Sequence, residues 1–557
     1  MNVRRLLILG VIVALAGCDG TQTTTQESKP MSSKSITEFK DIEREVRGQN
    51  PTAALGYLRS HSKTGRLGSV LSDKLPEGVV IEGAGVVCGL NGRGTKNVPS
   101  GQGIQKRLLK SLFQEYKEPG IATKMLGSED TAAVMVEAVL LPFAADGDKL
   151  DVRVQAFDRS VNLEGGILAE AELEEFVEMP RDVKVDPMFT YSGRRASRGV
   201  QAYTRGLVSL VPGVKDGKVV GTTAANTGYL AAGAVVLKKH GMTLRLRQPD
   251  AYQALLTEYT IGGRFRCEVK AMDDSTVRVS LPDEYTGNWE RFIRVVWELD
   301  TGPSGDAAAG NVGGLLGQLG SGDAKARERA EYALEGIGNA AQPAMLKAVR
   351  SSQGEKRMAL LRVLGQLNVR EIGSDLLTEA RTGNEAERLL ATRLLGQIKP
   401  PGVEEVLVQL LSDESGPVRA EAVRSMERIQ AKSGTVRRVF SEEKNFIMNW
   451  ASVAGRNEVV IYPGMGVRRI DVFGQMVNVN DGFKAGAGVV EVTVAAGQTQ
   501  FVFKNRPDMR AVNMSSSDIR VIVAKLDQVG VPINDILALI GEMDRTRSLN
   551  ARVVWLD

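Results

Sequence analysis

The sequence contains few of the residues that most often build catalytic or metal sites. Its 557 residues include only two histidines, His61 and His240, and three cysteines. Neither histidine has cysteines or carboxylates around it at the spacing of a metal site. The GxSxG phrase that presents the nucleophile of many hydrolases is absent. We therefore expect no catalytic residues, no metal ligands, no cofactor and no enzymatic activity.

Strong net charge and long apolar runs are missing as well. The 71 lysine and arginine residues nearly balance the 67 aspartate and glutamate residues, and the net charge of +4 is not gathered into one tract. This distribution argues against a nucleic-acid partner. No run after the first 17 residues reaches the roughly 20 apolar residues of a membrane-spanning helix. The composition, 43% hydrophobic and 25% charged, is typical of a globular protein with about two to four domains.

The N-terminus has the pattern of a secretory signal. Arg4 and Arg5 precede an apolar run, residues 6–16, that is too short to span a bilayer. The run ends in LAGC, which resembles the lipobox of bacterial lipoproteins. That resemblance implies a signal peptide over residues 1–17 and a lipid on Cys18, with an ordinary cleaved signal as the alternative. Residues 18–35 are rich in Thr, Ser and Gln and predict a flexible tether, so we expect a periplasmic protein held to the membrane by a lipid anchor only.

A series of glycines and strand-like runs begins at residue 79. The segment VVIEGAGVVCGLNGRGT is followed by a helical stretch, then TAAVMVEAVLLPFAADGDKLDVRVQAF and NLEGG. A dinucleotide-binding turn would need a helix to start at Gly85, whereas strand and loop residues follow it. The glycines are expected instead to let strands bend and backbones approach closely, with Asn91 tolerating a left-handed conformation.

The same order of elements resembles the N-terminal half of the flagellar basal-body P-ring protein family. The family hallmark V-G-Y-G-L-V-V-G-L-N-G-x-G is kept here at Gly85, Gly89, Asn91, Gly92 and Gly94, with Ala84 in place of the aromatic residue. The resemblance implies a structural glycine loop without a catalytic part. It extends to the end of the chain, where residues 526–540 and 549–554 resemble the closing helix pair and final strand of the family.

A repeated helical phrase separates these two portions. The phrases end at Ile337, Leu367, Ile398 and Ile429, which are 30, 31 and 31 residues apart. Second helices fit between them at residues 343–350, 374–381 and 403–412. A helix pair of this period resembles short HEAT-like repeats, which stack to bury their apolar stripes. The segment 315–431 holds 16 basic and 16 acidic residues, a balance that favours a protein or a neighbouring subunit as its ligand.

The sequence therefore predicts an α+β fold in which β-rich P-ring-like modules are interrupted by an α-solenoid of HEAT-like helix pairs. The two outer portions are expected to fold together as one scaffold. The expected divisions are a P-ring-like region over 36–300, a linker over 301–314, the solenoid over 315–431, and a β-rich segment with the closing helices and strand over 440–557. Cys88 and Cys267 could pair in an oxidising compartment, or each could be a small buried apolar residue.

The resemblance implies a structural component of the flagellar basal body that assembles with copies of itself into the periplasmic P ring around the rod. Its implied partners are identical subunits, the rod and L-ring proteins, and peptidoglycan as a further candidate. The alternative is a periplasmic lipoprotein scaffold or adaptor that uses P-ring-like modules and a partner-binding solenoid. The lipobox and the insertion favour the alternative, because P-ring proteins usually carry a plain signal peptide.

Overall fold

The computed structural model describes residues 33–73, 78–178, 195–221, 224–302, 311–441, 444–504 and 511–556. The predicted lipidation site Cys18, the signal peptide and most of the tether lie outside the described residues, as does the middle of the predicted linker. Within the described residues, no helix combines the length and the apolar character that crossing a membrane requires.

The first half of the chain forms a barrel and a smaller unit of helices and a sheet. In chain order its main elements are α1 (Ser33–Arg47), α2 (Pro51–His61), β1 (Val79–Cys88), α3 (Gln102–Tyr116), α4 (Pro119–Met125), β2 (Thr131–Leu140), β3 (Lys149–Ala156), β4 (Ile167–Glu178), β5 (Arg195–Leu207), β6 (Val214–Lys215), β7 (Lys218–Val219), β8 (Thr227–Val236), β9 (Met242–Arg245), α5 (Ala251–Phe265), β10 (Val269–Ala271), β11 (Thr276–Val279) and α6 (Trp289–Glu298).

The barrel unit is a closed sheet with the strand order β1-β2-β3-β8-β5-β4. Every pairing in it is antiparallel. Apolar and polar residues alternate along β3, and Leu150, Val152 and Val154 are buried in the barrel core while the residues between them are not. Outside the barrel, Leu108 and Leu112 of α3 cover the outward side chains of β1.

The second unit, which we call the aromatic unit, packs α1, α2, α5 and α6 on the three-stranded sheet β10-β11-β9. Its centre is a group of rings in edge contact, with Phe265 and Phe292 at 5.1 Å and Phe265 and Tyr285 at 5.7 Å between ring centroids. Phe143, from the turn between β2 and β3, inserts into this group at 5.9 Å from Phe292. This insertion fixes the barrel against the aromatic unit.

The solenoid consists of antiparallel helices that alternate along the chain. They are α7 (Val312–Gln318), α8 (Ala324–Ile337), α9 (Gln342–Ser351), α10 (Gly354–Gln366), α11 (Gly373–Thr382), α12 (Glu385–Ile398), α13 (Val403–Leu410) and α14 (Gly416–Ile429). The predicted helix pairs are confirmed, with α9, α11 and α13 at the places expected for the second helices. Their buried side chains form one continuous core.

The glycine of the repeated phrase explains why the phrase recurs. A Cβ atom on Gly365 would lie 2.5 Å from the Leu394 side chain, and one on Gly396 would lie 2.6 Å from Ser425 Oγ. Each glycine is therefore the point at which the next helix comes closest. A larger residue would push the stacked helices apart.

The C-terminal unit contains two sheets and two helices. Its elements are β12 (Val436–Phe440), β13 (Phe446–Ala451), β14 (Glu458–Tyr462), β15 (Arg468–Phe473), β16 (Lys484–Ala487), β17 (Val490–Ala495), β18 (Gln498–Phe503), β19 (Ala511–Met514), α15 (Ile519–Gln528), α16 (Ile533–Arg545) and β20 (Arg552–Trp555). One sheet has the order β12-β13-β15-β14-β20 and the other is the meander β16-β17-β18-β19. The final strand β20 pairs in parallel with β14, so the closing elements and the strands after the solenoid form one core with α15 and α16.

Candidate functional site

The glycine loop closes one end of the barrel. Gly89, Asn91 and Gly92 have φ values of 75°, 52° and 81°, in the left-handed region. The Asn91 backbone N–H donates to Asp130 Oδ1 at 2.6 Å, and the Gly94 N–H donates to the Glu129 carbonyl at 2.8 Å. A Cβ on Gly94 would lie 2.2 Å from the Thr131 carbonyl oxygen. The loop is thus bound to the segment before β2 by its backbone. Gly94 allows the close approach, whereas Gly89 and Gly92 allow the left-handed turns and have open space around them.

Gly85 lies within β1 and has a different structural role. A Cβ there would meet Ala171 Cβ and Leu168 Cδ1 at 3.1 Å, so this glycine lets β1 and β4 pack tightly as the barrel closes.

The structure does not bring the two candidate disulfide partners together. Cys88 and Cys267 are both free thiols. Cys88 is buried beside α3, whereas Cys267 packs on the core of the aromatic unit. Burial raises the pKa of each thiol to about 11, so both are protonated, weakly reactive apolar residues. The two histidines also lie apart, and the described residues contain no group of three or more His, Cys, Asp or Glu that could hold a metal ion.

The barrel and the C-terminal unit meet at a buried carboxylate. Asp535, on the first turn of α16, is fully buried. Its Oδ1 accepts a hydrogen bond from Ser209 Oγ at 2.5 Å, and its Oδ2 accepts one from the Val489 N–H at 3.2 Å. Beside it, Asn534 Nδ2 donates to the Val211 carbonyl at 3.0 Å. Residues more than three hundred positions apart are joined here, as expected for outer portions that fold together.

Among the described residues, none places a cation in contact with Asp535 to offset its burial. Loss of solvation raises the pKa of its carboxyl to about 7, although the hydrogen bonds from Ser209 and Val489 act in the opposite direction. Glu164 adds a further repulsion and Lys504 a weaker attraction. The carboxyl at this junction therefore titrates near neutral pH.

Two further contacts fix the C-terminal unit on the barrel. Gly541 of α16 meets the turn of the β6-β7 hairpin so closely that a Cβ on it would lie 2.2 Å from the Gly217 carbonyl oxygen. On the outer face of β3, Asp151 Oδ1 accepts from the Arg468 guanidinium at 2.5 Å and from the Gly466 N–H at 3.3 Å. The contact surface thus combines backbone packing with a buried arginine.

The N-terminal end of the solenoid is joined to the aromatic unit by buried charges. Glu335 of α8 is completely buried and accepts hydrogen bonds from Tyr285 Oη at 2.7 Å and from Arg291 Nε at 2.9 Å. Arg291 also contacts Glu331 at 2.8 Å. Burial opposes the charged form of Arg291, but Glu335 and Glu331 outweigh it and raise the pKa of the guanidinium. Arg264 completes the junction by donating to the Gly336 carbonyl at 2.7 Å.

The C-terminal end of the solenoid is joined to the five-stranded sheet in the same way. The buried Arg419 of α14 forms an ion pair with the buried Glu458 at the start of β14. Arg469 of β15 reaches back to Glu427 of α14 at 2.8 Å and holds Asp471 at 2.9 Å. The apolar core of the solenoid also continues into the sheet through Val460 and Phe473. Barrel, aromatic unit, solenoid and C-terminal unit therefore form a closed circuit of contacts.

An open cavity of about 750 Å³ lies at one edge of the five-stranded sheet, where β13 and β15 end and β14 and β20 begin. Two exposed arginines, Arg456 and Arg552, line it together with the amide side chains of Asn457, Gln475 and Asn550 and the exposed Met476. The described residues that line the cavity include no carboxylate. This composition suits a surface that carries negative charge next to apolar side chains.

Sequence reasoning missed the junctions and the cavity. Glu335, Arg419 and Asp535 are charged residues on amphipathic helices, where a solvated position is the usual expectation. For Glu335 and Asp535, the available signal was their position among apolar neighbours on the helix face that becomes buried. The cavity is made by three loops that are distant in sequence, and no local pattern indicates it.

Two segments of the chain match known protein families. Residues 76–309 match the family model described as flagellar P-ring protein, and residues 373–438 match HEAT repeats. This segment of the chain is therefore similar to the flagellar P-ring family. This segment covers the barrel and most of the aromatic unit, and the HEAT match falls on the second half of the solenoid. The resemblance seen in the sequence is confirmed for residues 76–309 and for the HEAT-like repeats over residues 373–438.

Curated relatives support the same assignment. A flagellar P-ring protein from Geotalea uraniireducens (strain Rf4) is 29% identical over 228 residues, which is 40% of this chain and 56% of that protein. One from Thermotoga petrophila is 27% identical over 233 residues, 40% of this chain and 62% of that protein. The chain thus spans about three fifths of the length of these relatives. A solved complex of CpcE and CpcF of phycocyanin lyase from a Nostoc species overlaps 22% of this chain and 81% of that one at 19% identity, with a TM-score of only 0.21.

Proposed function

We propose that this protein is a structural subunit of the flagellar basal body that assembles with copies of itself into the periplasmic P ring around the rod, and that it is not an enzyme. The observation that carries the proposal is the P-ring-family match over residues 76–309. The fold supports it, because a closed barrel with backbone-bound loops suits a rigid building block. Identical subunits, rod and L-ring proteins are the proposed partners, with peptidoglycan as a further candidate.

We also propose that residues 315–431 act as a strut in this subunit. A flexible appendage would be joined to the remainder of the chain by one exposed linker. Here Arg291 and Glu335 hold one end of the solenoid and Arg419 and Glu458 hold the other. Buried ion pairs fix orientation because each charge is left unpaired if the partner moves. The domain division given above, with the solenoid as a distinct unit, is part of this proposal.

The lipid anchor on Cys18 is a separate part of the proposal. A lipidated Cys18 followed by a tether would hold the assembled ring at a membrane surface from the periplasmic side. A Cys18→Ser variant is expected to move from the membrane fraction to the soluble periplasmic fraction. Unchanged fractionation of this variant would remove the anchor from the proposal and leave the ring assignment standing.

The decisive experiment is imaging of purified basal bodies from cells in which this chain carries a tag on an exposed loop. Label at the position of the P ring is expected, together with loss of that density when the gene is deleted. A second strain lacking residues 315–431, rejoined by a short Gly-Ser linker, tests the strut, and assembly is expected to fail in it. Normal rings in that strain would end the strut proposal.

The second candidate function is a periplasmic lipoprotein adaptor with no place in the basal body. The solenoid favours it, because the P-ring-family match ends at residue 309 and the HEAT match begins beyond it. If the tagged protein is absent from purified basal bodies but captures a constant set of envelope proteins, the adaptor is the better description.

A further inference from the structure

The five-stranded sheet carries two unlike surfaces at its opposite edges. The arginine-lined cavity lies where β15 ends. The hairpin tip that joins β14 to β15, residues 463–467, lies where β15 begins. A strand of six residues separates them by roughly 20 Å. The two surfaces therefore face away from each other along one direction of the molecule.

The hairpin tip is an exposed apolar projection on a firm base. Met465 and Val467 are 42% and 41% exposed. Between them, Gly466 is buried against the barrel, and its N–H donates a hydrogen bond to Asp151. A Cβ atom on Gly466 would lie 3.0 Å from the Lys149 carbonyl oxygen, so the two backbones are close together. Apolar side chains exposed on a fixed projection can be buried by a partner without first being ordered. The tip is thus pre-organised for contact with another surface.

The barrel near the tip also carries exposed apolar side chains. Val80 pairs with Val139 on the outer face of the barrel, and continuing the antiparallel register of β2 and β3 by one residue beyond Ala138 and Val152 places Val139 across from Asp151, which binds Gly466. Val80 and Leu141 are 43% and 41% exposed. Val80 therefore presents an apolar side chain two strands away from the residue that holds the tip.

Charge beside the tip matches charge in the cavity. The turn between β2 and β3 carries the exposed Asp146 and Asp148 and leads directly to Lys149, which touches the tip. The cavity carries the exposed Arg456 and Arg552, with Met476 as an apolar floor that is 64% exposed. An apolar projection flanked by carboxylates complements an apolar floor flanked by guanidinium groups.

We propose that the hairpin tip of one subunit docks into the sheet-edge cavity of the next copy, with Asp146 and Asp148 facing Arg456 and Arg552. The inference rests on the proposed self-assembly and names the surfaces that carry it. Because the two surfaces are different and point in opposite directions, the contact is heterologous, and its repetition builds a ring when the rotation closes. Stable interfaces bury about 1,200 Å² or more, so the tip is one part of a larger subunit contact.

The first test is a cross-link between Met465→Cys and Met476→Cys, made in the chain with Cys18→Ser and Cys267→Ser so that the buried Cys88 is the one native thiol left. The oligomeric state is measured first by mass photometry. A short bismaleimide is then expected to give a ladder of dimers, trimers and larger species in the double variant, with the linked peptides containing positions 465 and 476. The single-cysteine variants are the controls and are expected to give at most dimers. The two positions lie too far apart in one chain to be linked within it.

The second test is charge exchange. Arg552→Glu is expected to weaken self-association at least tenfold at low salt, measured by sedimentation, and Asp146→Arg in the same chain is expected to restore it. Lys347→Glu on the solenoid makes the same change of charge away from both surfaces and serves as the matched control.

The outcomes separate the two proposals. Oligomers that form without a 465 to 476 cross-link, or with a dominant 465 to 465 cross-link, overturn this contact and leave the proposed function intact. A protein that stays monomeric at every concentration rejects self-assembly and this contact together. A charge effect without rescue by Asp146→Arg overturns the pairing with that turn.

Discussion

The ends of the solenoid and the junction between the barrel and the C-terminal unit are held by different chemistry. At the solenoid ends, the buried carboxylates of Glu335 and Glu458 face arginine side chains. At the barrel junction, the buried carboxylate of Asp535 faces a hydroxyl and a backbone N–H. The first arrangement pairs each buried carboxylate with a guanidinium group, whereas the second surrounds one carboxyl group with neutral donors. The circuit therefore has two connections made by buried ion pairs and one made by a single carboxyl group whose pKa is raised to about 7.

Removing one charge at a solenoid end should have the largest effect. Arg291→Met keeps the length of the side chain but leaves the buried Glu335 without its cation, while Glu331 keeps its pair with Arg362, and we expect a loss of about 3–5 kcal/mol in the free energy of unfolding. Urea unfolding at neutral pH measures it. Arg545→Ala, which removes an exposed pair with Glu542 on α16, is the control and should change stability little. A similar loss in both variants would contradict the special role of the buried pair.

The second prediction concerns the pH dependence of the barrel junction. The pKa of Asp535 is about 7 in the folded protein, whereas an aspartate in an unfolded chain has a pKa of about 4. Between these values the folded state keeps a proton that the unfolded state releases, so stability falls as pH rises from about 4 to 7 and is level above. The total change is on the order of 4 kcal/mol.

Asp535→Asn tests this directly, because the asparagine cannot ionise. The pH slope of the free energy of unfolding should flatten between about pH 4 and 7, and Ser209 can still donate to the amide oxygen. Asp544→Asn on the same helix is the matched control and should keep the slope of the parent protein. Equal slopes in the parent and Asp535→Asn proteins would show that this carboxyl does not titrate in the folded state.

A third prediction compares backbone packing at the barrel junction with an open helical site. Gly541→Ala places a methyl group 2.2 Å from the Gly217 carbonyl oxygen, and since backbone cannot rotate away, we expect a loss of about 1–3 kcal/mol. Gly263→Ala in α5 meets nothing within 4 Å and should gain up to about 1 kcal/mol from helix propensity. Thermal unfolding of the two variants gives the sign. A gain in both would mean that the hairpin turn yields easily.

The fold was predictable where a local pattern carries it. The alternation in β3, the spacing of Ile337 and Ile398 and the break before α16 each reflect a period or a turn that a short stretch of sequence contains. The closure of the barrel was not predictable, because it depends on the pairing of β1 with β4 and of β5 with β8 across long separations. The parallel pairing of β20 with β14 joins strands on either side of two helices. Long-range contacts of this kind have no local signature.

The candidate site was less accessible than the fold for the same reason. The glycine loop was visible because glycine and asparagine are the residues that adopt left-handed backbone most readily. Asp535 and Ser209 are ordinary residues in sequence and become a site only when the barrel meets α16. Arg456 and Arg552 likewise come together only at the edge of a finished sheet. Sites that form only when distant segments come together could be recognised only in the folded structure.

The smallest predicted effect compares how the two regions handle left-handed turns. The barrel loop places glycine at two of its three left-handed positions, whereas α12 of the solenoid ends on Lys399 with a φ of 53°. A residue with a Cβ is strained there by about 1 kcal/mol. The Lys399 side chain is exposed, so its removal costs little packing, and glycine is the usual residue at this helix position. Lys399→Gly should therefore stabilise the protein by up to about 1 kcal/mol, with Lys399→Val destabilising it as the matched contrast. Chemical unfolding measures both. If Lys399→Gly weakens the fold, the lysine side chain stabilises the solenoid by more than the strain it imposes.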